Sequence, residues 1–160
     1  MDREVEISLN VNGSNISKRI PVRRSLVDFL RDDLGLTGSH VGCEHGVCGM
    51  CTVRFEGRIA RGCLLLAVQA DGATIETIEG LTETGEIADL QAAFVARNAA
   101  QCGFCTPGML VTAAELLKER PTISREEIRH FISGNYCRCT GYQAIVDAIE
   151  QVARTRADRR

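Results

Sequence analysis

Eight cysteines in 160 residues, divided four and four, constrain this chain more than any other feature. Cys43, Cys48, Cys51 and Cys63 fall in the first half, and Cys102, Cys105, Cys137 and Cys139 in the second. The N-terminal stretch MDREVEISLN is charged and alternating, unlike a secretory leader. Arg23-Arg24 superficially suggests a twin-arginine export signal, but the charged, glycine-broken RDDLGLTG follows where an apolar segment would be needed. A cytoplasmic chain is therefore expected, and a reducing cytosol disfavours a disulfide framework. Two sets of four thiolates then read as metal ligands.

The rest of the composition is ordinary for a globular protein, with 44% apolar and 25% charged residues. Aromatics make up 4% and tryptophan is absent, so the core must be aliphatic. A net charge of −2 argues against nucleic-acid binding, which needs a basic face to displace counterions. No apolar run approaches the roughly 20 residues that cross a bilayer.

Periodicity changes near residues 78–86. Before it, Val5, Ile7, Leu9 and Val11 alternate with polar residues, Asn12-Gly13 turns, and Ile16, Ile20 and Val22 follow, which predicts a hairpin with one buried face. Ser25 caps a short helix through Leu30. A second hairpin is expected at Thr52–Phe55 and Arg58–Ala60 around Glu56-Gly57, and a last strand at Ala73–Ile78. Two hairpins, one helix and a final strand make the β-grasp pattern of plant-type ferredoxins. After residue 86 the spacing predicts four helices. Ile87, Leu90, Phe94 and Val95 mark the first, Pro107 to Leu117 the second, and the Ser124/Glu127 capping box to Gly134 the third. Tyr142 to Val152 marks the fourth, and the basic residues Arg154, Arg156, Arg159 and Arg160 read as a solvated, frayed end. The fold class expected is α+β: a β-grasp domain over 1–79, then a four-helix bundle domain over 80–160.

The first cysteine set reads GCEHGVCGMC, spaced C-x4-C-x2-C with the fourth cysteine 12 positions later. That opening matches plant-type [2Fe–2S] proteins, whereas zinc sites favour paired C-x2-C knuckles. Gly42, Gly46 and Gly49 allow a tight loop whose N–H groups point at the sulfurs and stabilise an anionic cluster. A mixed His/Cys site would need two histidines. His45 lies in the loop, but His40 and His130 occur in no matching repeat, so His45 reads as a non-ligand. The second set, QCGFC followed 32 positions later by CRC, suits either zinc or iron–sulfur by spacing. Cys105 and Cys139 each precede an expected helix start, where partial positive charge lowers thiolate pKa.

At these residues the chain resembles the small iron–sulfur subunits of molybdenum hydroxylases, the group that includes carbon monoxide and xanthine dehydrogenases. The resemblance spans Leu36-Thr37-Gly38, Gly42-Cys43, Cys48 to Val53, Cys63, Gln101 to Met109 and Gly134 to Tyr142. It implies two [2Fe–2S] clusters, one in each domain, and no independent catalysis. It further implies a large partner subunit with molybdopterin, as the cytosine dinucleotide, and a medium subunit with FAD, in a heterotrimer or a dimer of heterotrimers. By that resemblance Cys139 approaches the pterin and Gln101 contacts it. Electrons then pass through the 102/105/137/139 set and the 43/48/51/63 set towards FAD. Met50 stands where the family usually has alanine, and Tyr136 where leucine is common. The rival readings are a structural protein with two four-cysteine zinc sites and a free-standing two-cluster ferredoxin.

Overall fold

A computed structural model describes residues 3–120 and 122–159; Met1, Asp2, Pro121 and Arg160 lie outside the described residues. The first half is a five-stranded mixed sheet of order β2-β1-β5-β3-β4. Strands β1 (Glu4–Val11) and β2 (Ser14–Pro21) pair antiparallel about Asn12-Gly13, both with positive φ as a tight hairpin turn requires. Strands β3 (Thr52–Phe55) and β4 (Arg58–Arg61) form the second hairpin, and β5 (Thr74–Glu76) lies parallel to β1 and antiparallel to β3. Helix α1 (Leu26–Asp28), capped by the Ser25 hydroxyl, continues as a wider π turn over Phe29–Asp33. Alternate residues Ile7, Leu9 and Val11 meet Leu26, Phe29 and Leu30 in a first core. This is the hairpin–helix–hairpin arrangement expected from the period-two pattern.

The last strand is shorter than expected. It ends at Glu76, and Ile78–Glu83 is instead a helix, α2, whose Ile78 and Leu81 join the second core. Four longer helices follow: α3 (Ala88–Ala96), α4 (Thr106–Glu119), α5 (Arg125–Phe131) and α6 (Gln143–Asp158). Pro107 sits in the first turn of α4, and Ser124 and Glu127 exchange both capping-box hydrogen bonds at α5. Val95, placed on the buried face of its helix by the sequence pattern, is 78% exposed, because Leu90, Ala93 and Phe94 already fill that face. The basic end does not fray as expected: α6 runs to Asp158, Arg156 pairs with Asp89 at 2.8 Å, and Arg154 with Glu150 at 2.8 Å. No helix among the described residues is long and apolar enough to cross a membrane.

The two halves meet across the outer face of the second hairpin. Val53 and Phe55 face the sheet core, so Thr52 and Arg54 must face the other way, towards α4. Ile59 packs on the helical core beside them. The Arg54 guanidinium, 3% exposed, reaches Glu76 at 3.2 Å, Glu86 at 2.6 Å and Glu115 of α4 at 3.5 Å. Its neighbours hold it fully protonated, the Glu86 hydrogen bond first among them.

Candidate metal centre

Cys43, Cys48 and Cys51 lie in the loop between the π turn and β3, and Cys63 follows β4, so the second hairpin returns the fourth thiol to the other three. The sulfurs associate in twos. Cys43 and Cys48 are side-chain partners, and so are Cys51 and Cys63, with Cys43 acting on Cys63 through charge. Backbone N–H groups converge on them as the glycine-rich loop predicts. The N–H of Cys48 lies 3.4 Å from the Cys43 sulfur, and that of Cys63 lies 3.4 Å from the Cys51 sulfur. The Cys48 and His45 amides pull the Cys43 thiol down to about 6, whereas burial drives Cys63 up to about 11. The His45 ring turns back onto the Cys43 carbonyl through Nδ1.

The second set draws on two places. Cys105 is the N-cap of α4 with Cys102 just before it; Cys137 and Cys139 lie in the loop ahead of α6. Again the sulfurs pair: Cys102 with Cys139 at 3.5 Å, and Cys105 with Cys137. Of the two expected helix starts, only the one after Cys105 directly follows its cysteine. Helix α6 begins at Gln143, behind Tyr142 at φ +68°, so Cys139 stands clear of it. The α4 terminus does not make Cys105 acidic either, since burial pushes that thiol up to about 12. The lowered thiol here is Cys137. Burial works against it but is outweighed by Thr140, whose hydroxyl lies 3.0 Å and whose N–H lies 3.4 Å from the sulfur, together with the Cys139 N–H and the Cys105 side chain. The Cys137 N–H donates to the Tyr142 hydroxyl at 2.8 Å, which fixes the loop.

All four second-set cysteines line one cavity of about 300 Å³, with Cys48 and Met50 of the first loop on its wall. His40 stacks on Phe104 of QCGFC with ring centroids 4.6 Å apart, and its Nδ1 meets the Phe104 carbonyl at 2.8 Å. Tyr136 N–H donates to the Cys48 carbonyl at 2.8 Å. The two sets are therefore neighbours. Their exposure differs: Cys51 and Cys105 are buried, while Cys102 and Cys139 are exposed beside exposed Gln101 and Arg138. The contacts made by His40, Thr140 and Tyr142 carry no spacing signature of their own, so the sequence reading did not single them out.

A zinc ion needs four sulfurs around a single point at about 2.3 Å. Four thiolates arranged two by two fit a binuclear centre, in which each of two irons takes two cysteines. The donor set and the N–H-lined loop fit that group.

Two family models match in tandem: a 2Fe-2S iron-sulfur cluster binding domain over residues 9–81 and a [2Fe-2S] binding domain over 77–150. Caffeine dehydrogenase subunit gamma of Pseudomonas sp. (strain CBB1) is 55% identical over 93% of this chain and 91% of its own length. The nicotine 6-hydroxylase small subunit of Paenarthrobacter nicotinovorans is 50% identical over 91% of this chain and 87% of its own. Among solved structures, quinoline 2-oxidoreductase from Pseudomonas putida 86 superposes with a TM-score of 0.91 at 49% identity, over 98% of this chain and 96% of that one. Aldehyde oxidoreductase from Desulfovibrio gigas superposes with a TM-score of 0.87 at 40% identity, over 98% of this chain and 18% of that longer one.

Proposed function

The chain belongs to the small iron–sulfur subunits of the molybdenum hydroxylases, and on that premise we propose how its eight cysteines are used. It is an electron-transfer subunit of a molybdenum-dependent oxidoreductase, with two [2Fe–2S] clusters of its own and molybdopterin and FAD on partner subunits. Cys43 and Cys48 hold one iron and Cys51 and Cys63 the other in the sheet half. In the helical half, Cys105 and Cys137 hold one and Cys102 and Cys139 the other. The observation that supports this sharing is the two-by-two association of the sulfurs.

When bound, such a centre takes up and releases single electrons. The chain supplies its environment. Amide N–H groups aimed at the Cys43 and Cys51 sulfurs, and the Thr140 hydroxyl and N–H at Cys137, favour the more negative state of any anionic centre held there. Burial of Cys51 and Cys105 keeps water from the inner side of each site.

We assign the exposed edge of Gln101, Cys102, Arg138 and Cys139 to the large molybdopterin subunit, with Gln101 and Cys139 against the pterin, a cytosine dinucleotide. Electrons enter there and leave by the 43/48/51/63 set towards FAD on a medium subunit, within a cytoplasmic heterotrimer or a dimer of such trimers. Two separate cores, residues 7–75 and 78–153, support a division into two domains close to the proposed 1–79 and 80–160, with Ile78 and the start of α2 already belonging to the second, and α3 to α6 fit a four-helix bundle with α2 as an added turn. Iron, sulfide and metal analysis of the complex purified through this subunit tests the reading. Two [2Fe–2S] EPR signals and a co-purifying molybdenum-containing chain are expected. Two zinc ions without sulfide, or a lone chain with no molybdenum partner, would overturn it.

A further inference from the structure

Four of the eight cysteines, Cys48, Cys51, Cys63 and Cys137, sit within two residues of one buried polar knot that touches no sulfur. Its centre is Asn135, 1% exposed and two residues before Cys137. The Asn135 amide donates from Nδ2 to the Gly49 carbonyl at 3.0 Å, between Cys48 and Cys51. Its Oδ1 lies 3.4 Å from Arg61 Nη2, two residues before Cys63, and 3.0 Å from the Thr112 hydroxyl of α4. Arg61 also donates from Nη2 to the Gly134 carbonyl at 2.8 Å and from Nη1 to the Thr52 hydroxyl. That hydroxyl donates in turn to Gly49 at 2.6 Å. The Gly49 carbonyl thus takes donors from both halves of the molecule.

The approach is as close as the backbone permits. Gly49 has φ +78°, and a Cβ there would lie 2.5 Å from the Gly134 carbonyl and 2.7 Å from Asn135 Cγ. A Cβ on Gly108 of α4 would collide with the Gly49 carbonyl from the other side. A buried network in which each member is satisfied is rigid, and an unpaired member inside it is costly. These groups therefore have one arrangement, and it fixes the first loop against the segment that leads into Cys137.

We propose that Asn135 is a positioning residue for electron transfer between the two cysteine sets, holding Cys48–Cys51 and Cys137 in register through Gly49 and Arg61. The proposal rests on the two-cluster reading above. It acts through distance and orientation, since the amide touches no thiol. Removing the Nδ2 donor leaves the Gly49 carbonyl without its bond from the helical half; the loops stay joined by Tyr136 N–H on the Cys48 carbonyl and Arg61 on the Gly134 carbonyl, but lose the bond that sets the position of Gly49 between Cys48 and Cys51.

The test uses the complete iron–sulfur-loaded complex and reads the magnetic interaction between the two reduced clusters by low-temperature EPR. Asn135→Ala removes the knot's centre, and Asn135→Asp keeps its shape and the Oδ1 bonds while losing the donor to Gly49. Thr112→Val removes one neighbour and leaves that donor in place. Loss or marked change of the spin–spin splitting in Asn135→Asp, with both clusters loaded and with the wild-type splitting in Thr112→Val, is the expected result. Both clusters loaded and an unchanged splitting in Asn135→Asp would overturn the proposal, whatever happens to stability. A folded Asn135→Asp protein that loads neither cluster would also overturn it, by making the knot a requirement of assembly. If the wild-type complex itself holds no iron, the fault lies in the two-cluster reading and not in the role of Asn135.

Discussion

Cys137 shows how much one thiol depends on its immediate neighbours. Its sulfur meets the Thr140 hydroxyl and accepts from the Thr140 N–H, and its own N–H is held by Tyr142, a residue with positive φ ahead of α6. Replacing Cys137 with Ser is expected to abolish one of the two [2Fe–2S] EPR signals and spare the other, because the first set shares none of these bonds. Retention of both signals in the variant would refute the sharing of ligands proposed above. The cysteines were legible in the sequence because spacing is chemistry's most direct trace there. Thr140 and Tyr142 were not, since one hydroxyl beside a sulfur leaves no periodic mark. The helix-start argument misjudged Cys105, because desolvation outweighs the helix dipole at a buried thiol.

At the scale of elements, local rules were read well where a turn or cap decides the outcome. The Asn12-Gly13 and Glu56-Gly57 hairpins, the Ser25 cap, Pro107 in α4 and the Ser124 capping box all lie where the sequence places them. Ser124→Ala should therefore destabilise the protein by about 1 kcal/mol, measured as a shift in urea midpoint. The end of α6 was misread because its anchor is distant. Arg156 bonds Asp89 of α3 across 67 positions, and no local pattern announces that pair. The Arg156 hydrogen bond holds the Asp89 carboxyl below its usual range, against burial that would raise it. A depressed folded value contributes stability above the ordinary aspartate pKa of about 4, and that contribution fades as pH falls through the folded value. Arg156→Gln should thus be less stable than wild type near neutrality, and the gap should close on acidification; paired urea midpoints across pH 3 to 7, roughly the span over which aspartates titrate, check it.

For the whole molecule, the sequence reading gave two halves and missed what binds them. In TVRF the alternation looks like a half-exposed strand, yet Thr52 and Arg54 are 2% and 3% exposed under α4. Only the docked helical half turns the polar side of that hairpin into an interior, and nothing local to β3 encodes the docking. Arg54→Met should cost about 3–5 kcal/mol, since it strands Glu115 in that interior. Adding Glu115→Leu should recover much of the loss, because an apolar pair can replace a buried ion pair at little cost. Denaturant unfolding of the wild-type, single and double variants measures both steps. The same polar face bears on how the chain is made. Synthesis delivers the sheet half first. Until α4 emerges from the ribosome, the flank that will be covered offers water Arg54, Arg61 and Thr52, with Ile59 as the apolar residue among them. A nascent half-molecule with such a flank can wait without presenting a sticky surface, and it gains its partner through bonds that water had been making in the meantime.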